Sequence, residues 1–182
     1  MPDVLLVAAT ERELGGQDGL VCGIGPVEAA AATARALAQR DVGAVLHIGI
    51  AGGRGLDLGT LVIGSEAIYC DLAASIRLVD RVAPDARLLD AARRVLGDVP
   101  ILPIGTTATV GGVARELVVE AMEGFGVLRA AALAGVPAIE VRAISNEIGE
   151  PDRGRWRIED AVAALAAVVP HLVAATGSAS RS

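Results

Sequence analysis

Short runs of consecutive apolar residues, each ended by glycine or a polar group, alternate along the chain with alanine-rich stretches whose apolar positions recur every three or four residues. The first pattern predicts strands buried on both faces and the second predicts helices packed by one face; their alternation favours an α/β fold with a largely parallel sheet. Strands are expected over 3–9 (DVLLVAA) and 20–24 (LVCGI), then a helix over 26–40 with Pro26 suited to its first turn. AVLHIGI (44–50) is the next strand and runs into the glycine-rich AGGRG, and TLVIGSEAIYC (60–70) is another, bent at Gly64. A helix over 84–96 leads to the strand PILPIG (100–105); LVVEA (117–121) reads as a short strand before a helix over 123–134. PAIEVRAIS (137–145) is the last strand, and a helix over 158–175 closes a domain assigned to 1–175, with the small, polar stretch 176–182 as a frayed tail.

In open parallel sheets, ligands bind beyond the carboxyl ends of the strands. The polar residues and glycines of this chain recur there: Thr10 to Glu13 after the first strand, Gly49 to Gly53 after the third, Thr106 to Thr109 after PILPIG, Met122 and Glu123 after LVVEA, and Ser145 and Asn146 after the last. Such a distribution points to a small-molecule site along one edge of the sheet.

Composition narrows the function classes. Apolar residues make up 53% of 182 residues but aromatics only 2%, so the core is built from Ala, Val, Leu and Ile. A net charge of -6 leaves no basic stripe for nucleic acid. No uninterrupted apolar run of about 18 residues marks a membrane span, and the N-terminus lacks a basic leader, so a cytoplasmic protein is expected. Cys22 and Cys70 form no CxxC and the chain has two histidines, so no zinc-type ligand set is present, no metal or cofactor is expected, and both thiols are expected buried and reduced.

Taken singly, the candidate residues leave alternatives open. GIGPVEAA (23–30) lies between a strand and a helix, but Glu28 stands where a dinucleotide fingerprint needs its third small residue, so a tight turn near a ligand oxygen is the better reading. Glu13 and Glu123 are each either carboxylates solvated at a helix start or members of a site. His47 inside an apolar strand reads as a core histidine, and Glu140 with Arg142 as a structural pair on one strand face. Arg153, Arg155 and Arg157 alternate around Trp156, the only tryptophan, close to Asn146; that clustering raises the prospect of an anionic substrate group.

In order, VAATERE (7–13), GIGPVEAA (23–30), HIGIAGG (47–53), AMEG (121–124) and VRAISN (141–146) followed by GEPDRGRWRI resemble the nucleoside phosphorylase and nucleosidase superfamily, and most specifically the futalosine hydrolase family of menaquinone biosynthesis. The resemblance spans almost the whole chain and implies a single domain with a mixed, mostly parallel twisted sheet flanked by helices. Two segments are shorter than the family pattern: the turn between Glu13 and Val21, which lacks a strand pair, and the stretch from Gly105 to Glu123, which lacks a helix.

The resemblance implies hydrolysis of an N-ribosidic bond, releasing hypoxanthine, by a homo-oligomer whose partner is a free nucleoside. Glu13 then serves as the base for water and Glu123 holds the ribose hydroxyls against the sugar-packing Met122. Ile50, Ala51, Gly52, Thr109, Val110 and Ser145 complete the binding set. Relatives that cleave 6-aminopurines carry Asp where this chain has Asn146, and an amide can donate to O6 while accepting from a protonated N7. The substrate's keto chain ends in a carboxylated benzene ring, for which Arg153, Arg155, Trp156 and Arg157 are the nearest supply. A phosphate-dependent purine nucleoside phosphorylase, using Arg54 or Arg12 for phosphate, and a non-catalytic nucleoside-binding domain are the alternatives.

Overall fold

The computed structural model describes residues 3–72, 76, 78–110 and 116–180. Among them the strands are β1 (Asp3–Ala8), β2 (Leu20–Val21), β3 (Val42–Gly53), β4 (Leu61–Tyr69), β5 (Arg81–Val82), β6 (Ile101–Thr106), β7 (Val119–Ala121) and β8 (Ala138–Glu147). The helices are α1 (Glu11–Leu14), α2 (Pro26–Gln39), α3 (Ala86–Leu96), α4 (Gly124–Leu133) and α5 (Ile158–Ala179), with a single 3₁₀ turn at Arg153–Arg155. Every strand and helix expected from the pattern is present. The two-residue β5 was not anticipated, and the four-residue α1 was foreseen only as a possible helix start at Glu13, because neither is long enough to show a period.

The sheet runs β2-β1-β3-β7-β6-β4-β5, and β8 pairs with both β3 and β4. Pairing is parallel for β1 with β2 and β3, β3 with β8, β4 with β6, and β6 with β7; it is antiparallel for β3 with β7 and for β4 with β5 and β8. The sheet is therefore mixed and mostly parallel. Following β3 to β8, β4, β6, β7 and back to β3 also closes a ring of five strands, which alternation along the sequence could not reveal. Each of the five contributes to the filling of that ring: Ala51, Ile144, Val62, Ile104, Val119 and Ala121.

Helices cover the remaining faces. On one side Leu46, Ile48, Ile139 and Val141 pack against Leu88 and Ala92 of α3 and Ala161, Leu165, Val169 and Leu172 of α5. On the other, Leu5, Val7 and Val45 meet Ala29 and Ala36 of α2 and Val127, Leu128 and Ala131 of α4. By length and composition α5 is apolar enough to cross a membrane. Its stripe at 161, 165, 169, 172 and 176 has helical spacing and is buried against the sheet and α3. The helix also extends to Ala179 with Thr176 and Gly177 buried, so the helix outruns the expected end at 175 because these small residues pack even though they read as polar. Residues 181–182 of the expected tail, and 111–115 of the stretch expected to lack a helix, lie outside the described residues.

Asp85 caps α3, accepting from the backbone N–H of Arg87 and Leu88 at 2.9 and 3.3 Å. Helices α2 and α4 pack closely at Gly126, where a Cβ would lie 2.5 Å from the Pro26 carbonyl oxygen. Alanine normally favours a helix interior by about 1 kcal/mol over glycine. We expect Gly126→Ala to lower stability instead, by about 1–3 kcal/mol, in urea unfolding followed by circular dichroism. A gain in stability would show that the two helices are free to separate.

Candidate active site

Strand β8 carries Glu140 and Arg142 on the face toward α2 and α4, where the neighbouring β3 places His47 and Gly49 in register with them. All of the Arg142 side chain is buried. Its Nε donates to Glu140 Oε1 at 2.7 Å, Nη1 to the Ile50 carbonyl at 3.3 Å and Nη2 to Glu123 Oε2 at 3.4 Å, while Nη2 also lies 3.2 Å from His47 Nε2. Two glycines make room for this cluster. A Cβ on Gly49 would overlap Arg142 Nη1 and come within 2.8 Å of Glu13 Oε1, and one on Gly124 would overlap the Glu140 carboxylate. Burial and the adjacent guanidinium hold the His47 pKa well below its ordinary 6.5, so the ring is neutral.

Glu123 ends the segment after β7 and precedes α4. Its Oε1 accepts from the Gly25 N–H at 3.2 Å, and Gly25, at φ 98°, is the N-cap of the 14-residue α2. The glycine turn thus aims a helix N-terminus at a carboxylate of the chain itself. Burial still pushes the Glu123 pKa upward, against the lowering effects of Arg142 and the Gly25 N–H. Glu13, in α1, is fixed at both oxygens: Oε1 accepts from the Ile50 N–H at 3.0 Å and Oε2 from the Thr10 hydroxyl at 2.8 Å. Three carboxylates therefore face one guanidinium, and the cluster carries excess negative charge.

At the end of β8 the register with β3 slips between Ala51 and Gly52, leaving Ser145 as the extra residue and bringing Asn146 opposite Gly52. The Ser145 hydroxyl lies 2.8 Å from Asn146 Oδ1 and 3.2 Å from the Ala51 carbonyl. Asn146 Nδ2 donates to the Glu147 carbonyl at 3.0 Å. The amide keeps one N–H and one Oδ1 lone pair uncommitted. Its orientation is set by its neighbours.

These groups border a cavity of about 850 Å³. Of the residues expected from the sequence, Glu13, Ile50, Ala51, Gly52, Val110, Met122, Glu123, Ser145, Asn146, Arg153 and Trp156 line it. Thr109 does not; its carbonyl accepts from the Thr107 hydroxyl at 2.5 Å. Arg155 does not either: its guanidinium pairs with Glu150 Oε2 at 3.1 Å and points to solvent, because the 3₁₀ turn rotates alternate residues away from one another. Arg157 pairs with Asp160 at 2.7 Å. Arg153 alone of the three lines the cavity, with its guanidinium 5.6 Å from the centre of the Trp156 ring. The indole N–H donates to the Glu150 carbonyl at 3.2 Å, and the Arg157 N–H to the Ser145 carbonyl at 2.7 Å, tying this loop to the end of β8.

Several cavity residues were not singled out by sequence, among them Ile24, Glu120 and Ile148; Arg12, named above as an alternative phosphate ligand, also lines the cavity and is paired with Glu159 at the start of α5. Arg142 and His47 were read as structural, yet Arg142 touches Glu123 directly; a charged pair inside an otherwise apolar stretch of strand was the available signal. Of the cysteines, Cys22 is buried and its thiol is pushed up to about 12 by burial, but Cys70 is only half-buried, against expectation, because the turn after β4 leaves it near solvent. Among the described residues no group of three or more His, Cys, Asp and Glu is placed to hold a metal ion.

Comparison with known proteins gives a consistent picture. A family model described as the phosphorylase superfamily matches residues 19–176. A futalosine hydrolase of Streptomyces coelicolor is 36% identical over 184 residues, covering 86% of this chain and 78% of that protein. A futalosine hydrolase of Thermus thermophilus is 33% identical over 190 residues, covering 89% and 83%. The fold superposes on the structure of a futalosine hydrolase mutant of Helicobacter pylori with a TM-score of 0.85 at 18% identity, over 96% of this chain and 99% of that one.

The neutral buried His47 has a consequence for pH. Its folded pKa lies well below 6.5, so the stability it contributes is fully present above pH 6.5 and is lost as pH falls, when only the unfolded chain takes up the proton. We expect the stability difference between wild type and His47→Phe to change by about 1.4 kcal/mol per pH unit below that point, in urea melts between pH 7.5 and 5. Parallel curves would show that His47 binds a proton in the folded protein.

Proposed function

Because the chain belongs to the phosphorylase superfamily, and within it to the futalosine hydrolases, we propose that its cavity hydrolyses the N-ribosidic bond of futalosine, with Glu13, Glu123 and Asn146 dividing the chemistry. The observation that carries the assignment of roles is the convergence on one cavity of two buried carboxylates and an amide whose orientation is locked by its neighbours.

Cleavage of this bond passes through an oxocarbenium-like ribose. Glu13 accepts a proton from water as the water oxygen bonds to the anomeric carbon, and its two fixed oxygens give that transfer a defined direction. Glu123 accepts hydrogen bonds from the ribose hydroxyls, and Met122 packs on the sugar. The excess negative charge around Arg142 favours the developing cation, in a setting shielded from water. The electron pair of the breaking bond goes to the purine, which leaves as hypoxanthine once N7 takes a proton from solvent or a relayed water. Asn146 offers its remaining N–H to O6 and its remaining lone pair to the N7 proton. Against a 6-aminopurine that amide is mispaired, and mispaired polar groups in buried sites discriminate strongly. Arg153, backed by Trp156, takes the carboxylate of the aryl chain. We place the reaction in the cytoplasm, carried out by a homo-oligomer.

Hypoxanthine release from futalosine, followed by chromatography with and without phosphate, tests the reading. We expect phosphate-independent release, falling about 10²–10⁴-fold in Glu13→Gln. A phosphate requirement would instead make the protein a phosphorylase, and binding without turnover would make it a nucleoside-binding domain. Arg153→Ala is expected to raise KM for futalosine about tenfold or more, the effect of losing a charged hydrogen bond, while inosine kinetics stay unchanged. An equal effect on both substrates would remove Arg153 from the carboxylate site.

A further inference from the structure

Behind the cavity wall lies a carboxylate that the roles above leave unused. Glu140 does not border the cavity and is fully buried. Its Oε1 accepts from Arg142 Nε at 2.7 Å, a shorter bond than that guanidinium makes to Ile50 or Glu123. Its Oε2 has no hydrogen-bond partner among the described residues. Both oxygens press against Gly124, where a Cβ would overlap them. As a structural support this is poor. Apolar side chains of similar volume often match or better a buried ion pair in stability, and a buried oxygen left unpaired adds a further cost. The charge of Glu140 is better explained by what its partner does.

Arg142 is linked to both carboxylates of the site. Its Nη2 donates to Glu123 Oε2 at 3.4 Å and its Nη1 to the Ile50 carbonyl at 3.3 Å. Ile50 in turn donates its N–H to Glu13 Oε1 at 3.0 Å, so one residue of β3 joins the guanidinium to Glu13. A guanidinium is a planar, rigid fork, and a short bond at Nε therefore sets the directions of Nη1 and Nη2. Without Glu140, the positive charge of Arg142 would fall on Glu13 and Glu123 alone, the two groups that meet the developing cation.

We propose that Glu140 is a positioning residue for the hydrolysis: bound at Nε, it aims the Arg142 fork at Ile50 and Glu123 and takes up part of its charge, leaving the negative charge of Glu13 and Glu123 for the sugar. The inference rests on the nucleosidase reading above and adds to it a residue that touches neither sugar nor base.

Two substitutions separate direction from charge. In Glu140→Gln the amide oxygen still accepts from Nε, but the charge of Arg142 is shared by two carboxylates instead of three. Those two then ionise at lower pH, because the charge of Glu140 acts on Glu123 in the raising direction. The other groups around Glu123 stay in place: Arg142 on β8, Glu13 on α1, the neutral His47 on β3, the Cys22 thiol after β2 and the Gly25 N–H at the start of α2. Glu140→Asp keeps the charge and withdraws it from Nε by one methylene.

The test measures kcat, KM and the pH dependence of kcat/KM for base release from futalosine in the wild type and both variants, with urea unfolding in parallel. In Glu140→Gln, kcat is expected to fall about tenfold or more with KM unchanged, the mark of an interaction that matters in the transition state. The acid limb of its kcat/KM profile should also move to lower pH. Glu140→Asp should lower kcat while its acid limb stays at the wild-type position. An acid limb that does not move in Glu140→Gln, whatever happens to kcat, overturns the proposal, as does a change in unfolding alone. Should Glu140→Gln fail to fold, Glu140→Asp decides: a lower kcat at unchanged KM supports the proposal and a wild-type kcat overturns it. A wild type that releases no base from futalosine would remove the nucleosidase reading and this inference with it, whereas an active wild type beside an unchanged Glu140→Gln removes only the role of Glu140.

Discussion

A guanidinium that water never reaches dictates the arrangement at the carboxyl edge of the sheet. Taking Arg142 out of solvent is unfavourable by several kcal/mol unless its donors are matched. The fold meets that condition with Glu140, Glu123, the Ile50 carbonyl and a neutral His47. The requirement propagates outward. Gly49 and Gly124 lack side chains because the guanidinium and its carboxylate partner occupy the space, Gly25 turns its N–H toward Glu123, and α2 begins where that N–H is needed. Glu123, one of the acid groups that hold the arginine in place, also lines the cavity, so structural support and the cavity's electrostatics share the same atoms.

The second organising feature is a single slip in register. Had β3 and β8 stayed paired residue for residue, Ser145 would face Gly52 and Asn146 would point into the filled ring. The extra residue at Ser145 reverses this, presenting the amide to the cavity and setting the serine hydroxyl between Asn146 Oδ1 and the Ala51 carbonyl. A bulge beside a site that redirects one side chain is a common use of this irregularity.

Much of this was legible in the sequence, for reasons that can be named. The strand and helix periods are unusually clean because the core is aliphatic, and the rule that ligands bind beyond strand ends located Glu13, Glu123 and Asn146 before any coordinates. What could not be read depends on contacts between distant segments. Arg155 and Arg153 look equivalent in the chain; a 3₁₀ turn sends one to Glu150 and the other over Trp156. Arg142 looked like half of a local pair because its contact with Glu123 requires β7 and β8 to lie on either side of β3. Glu120 carries no distinguishing signal in the sequence, and its place on the cavity wall follows only once the ring of strands is closed. Thr176 and Gly177 read as the start of a tail and are buried in α5.

That closed ring also decides how the molecule can meet other chains. Among the described residues the strand order ends at β2 and β5, each two residues long, and the uncovered edges beside them are short: Asp3–Leu6 of β1 and Ile101–Pro103 of β6. Edges so short offer almost no template for strand addition, the route by which exposed sheets template aggregates. The topology that shapes the cavity therefore also limits how much strand edge this aliphatic, strand-rich chain presents to another.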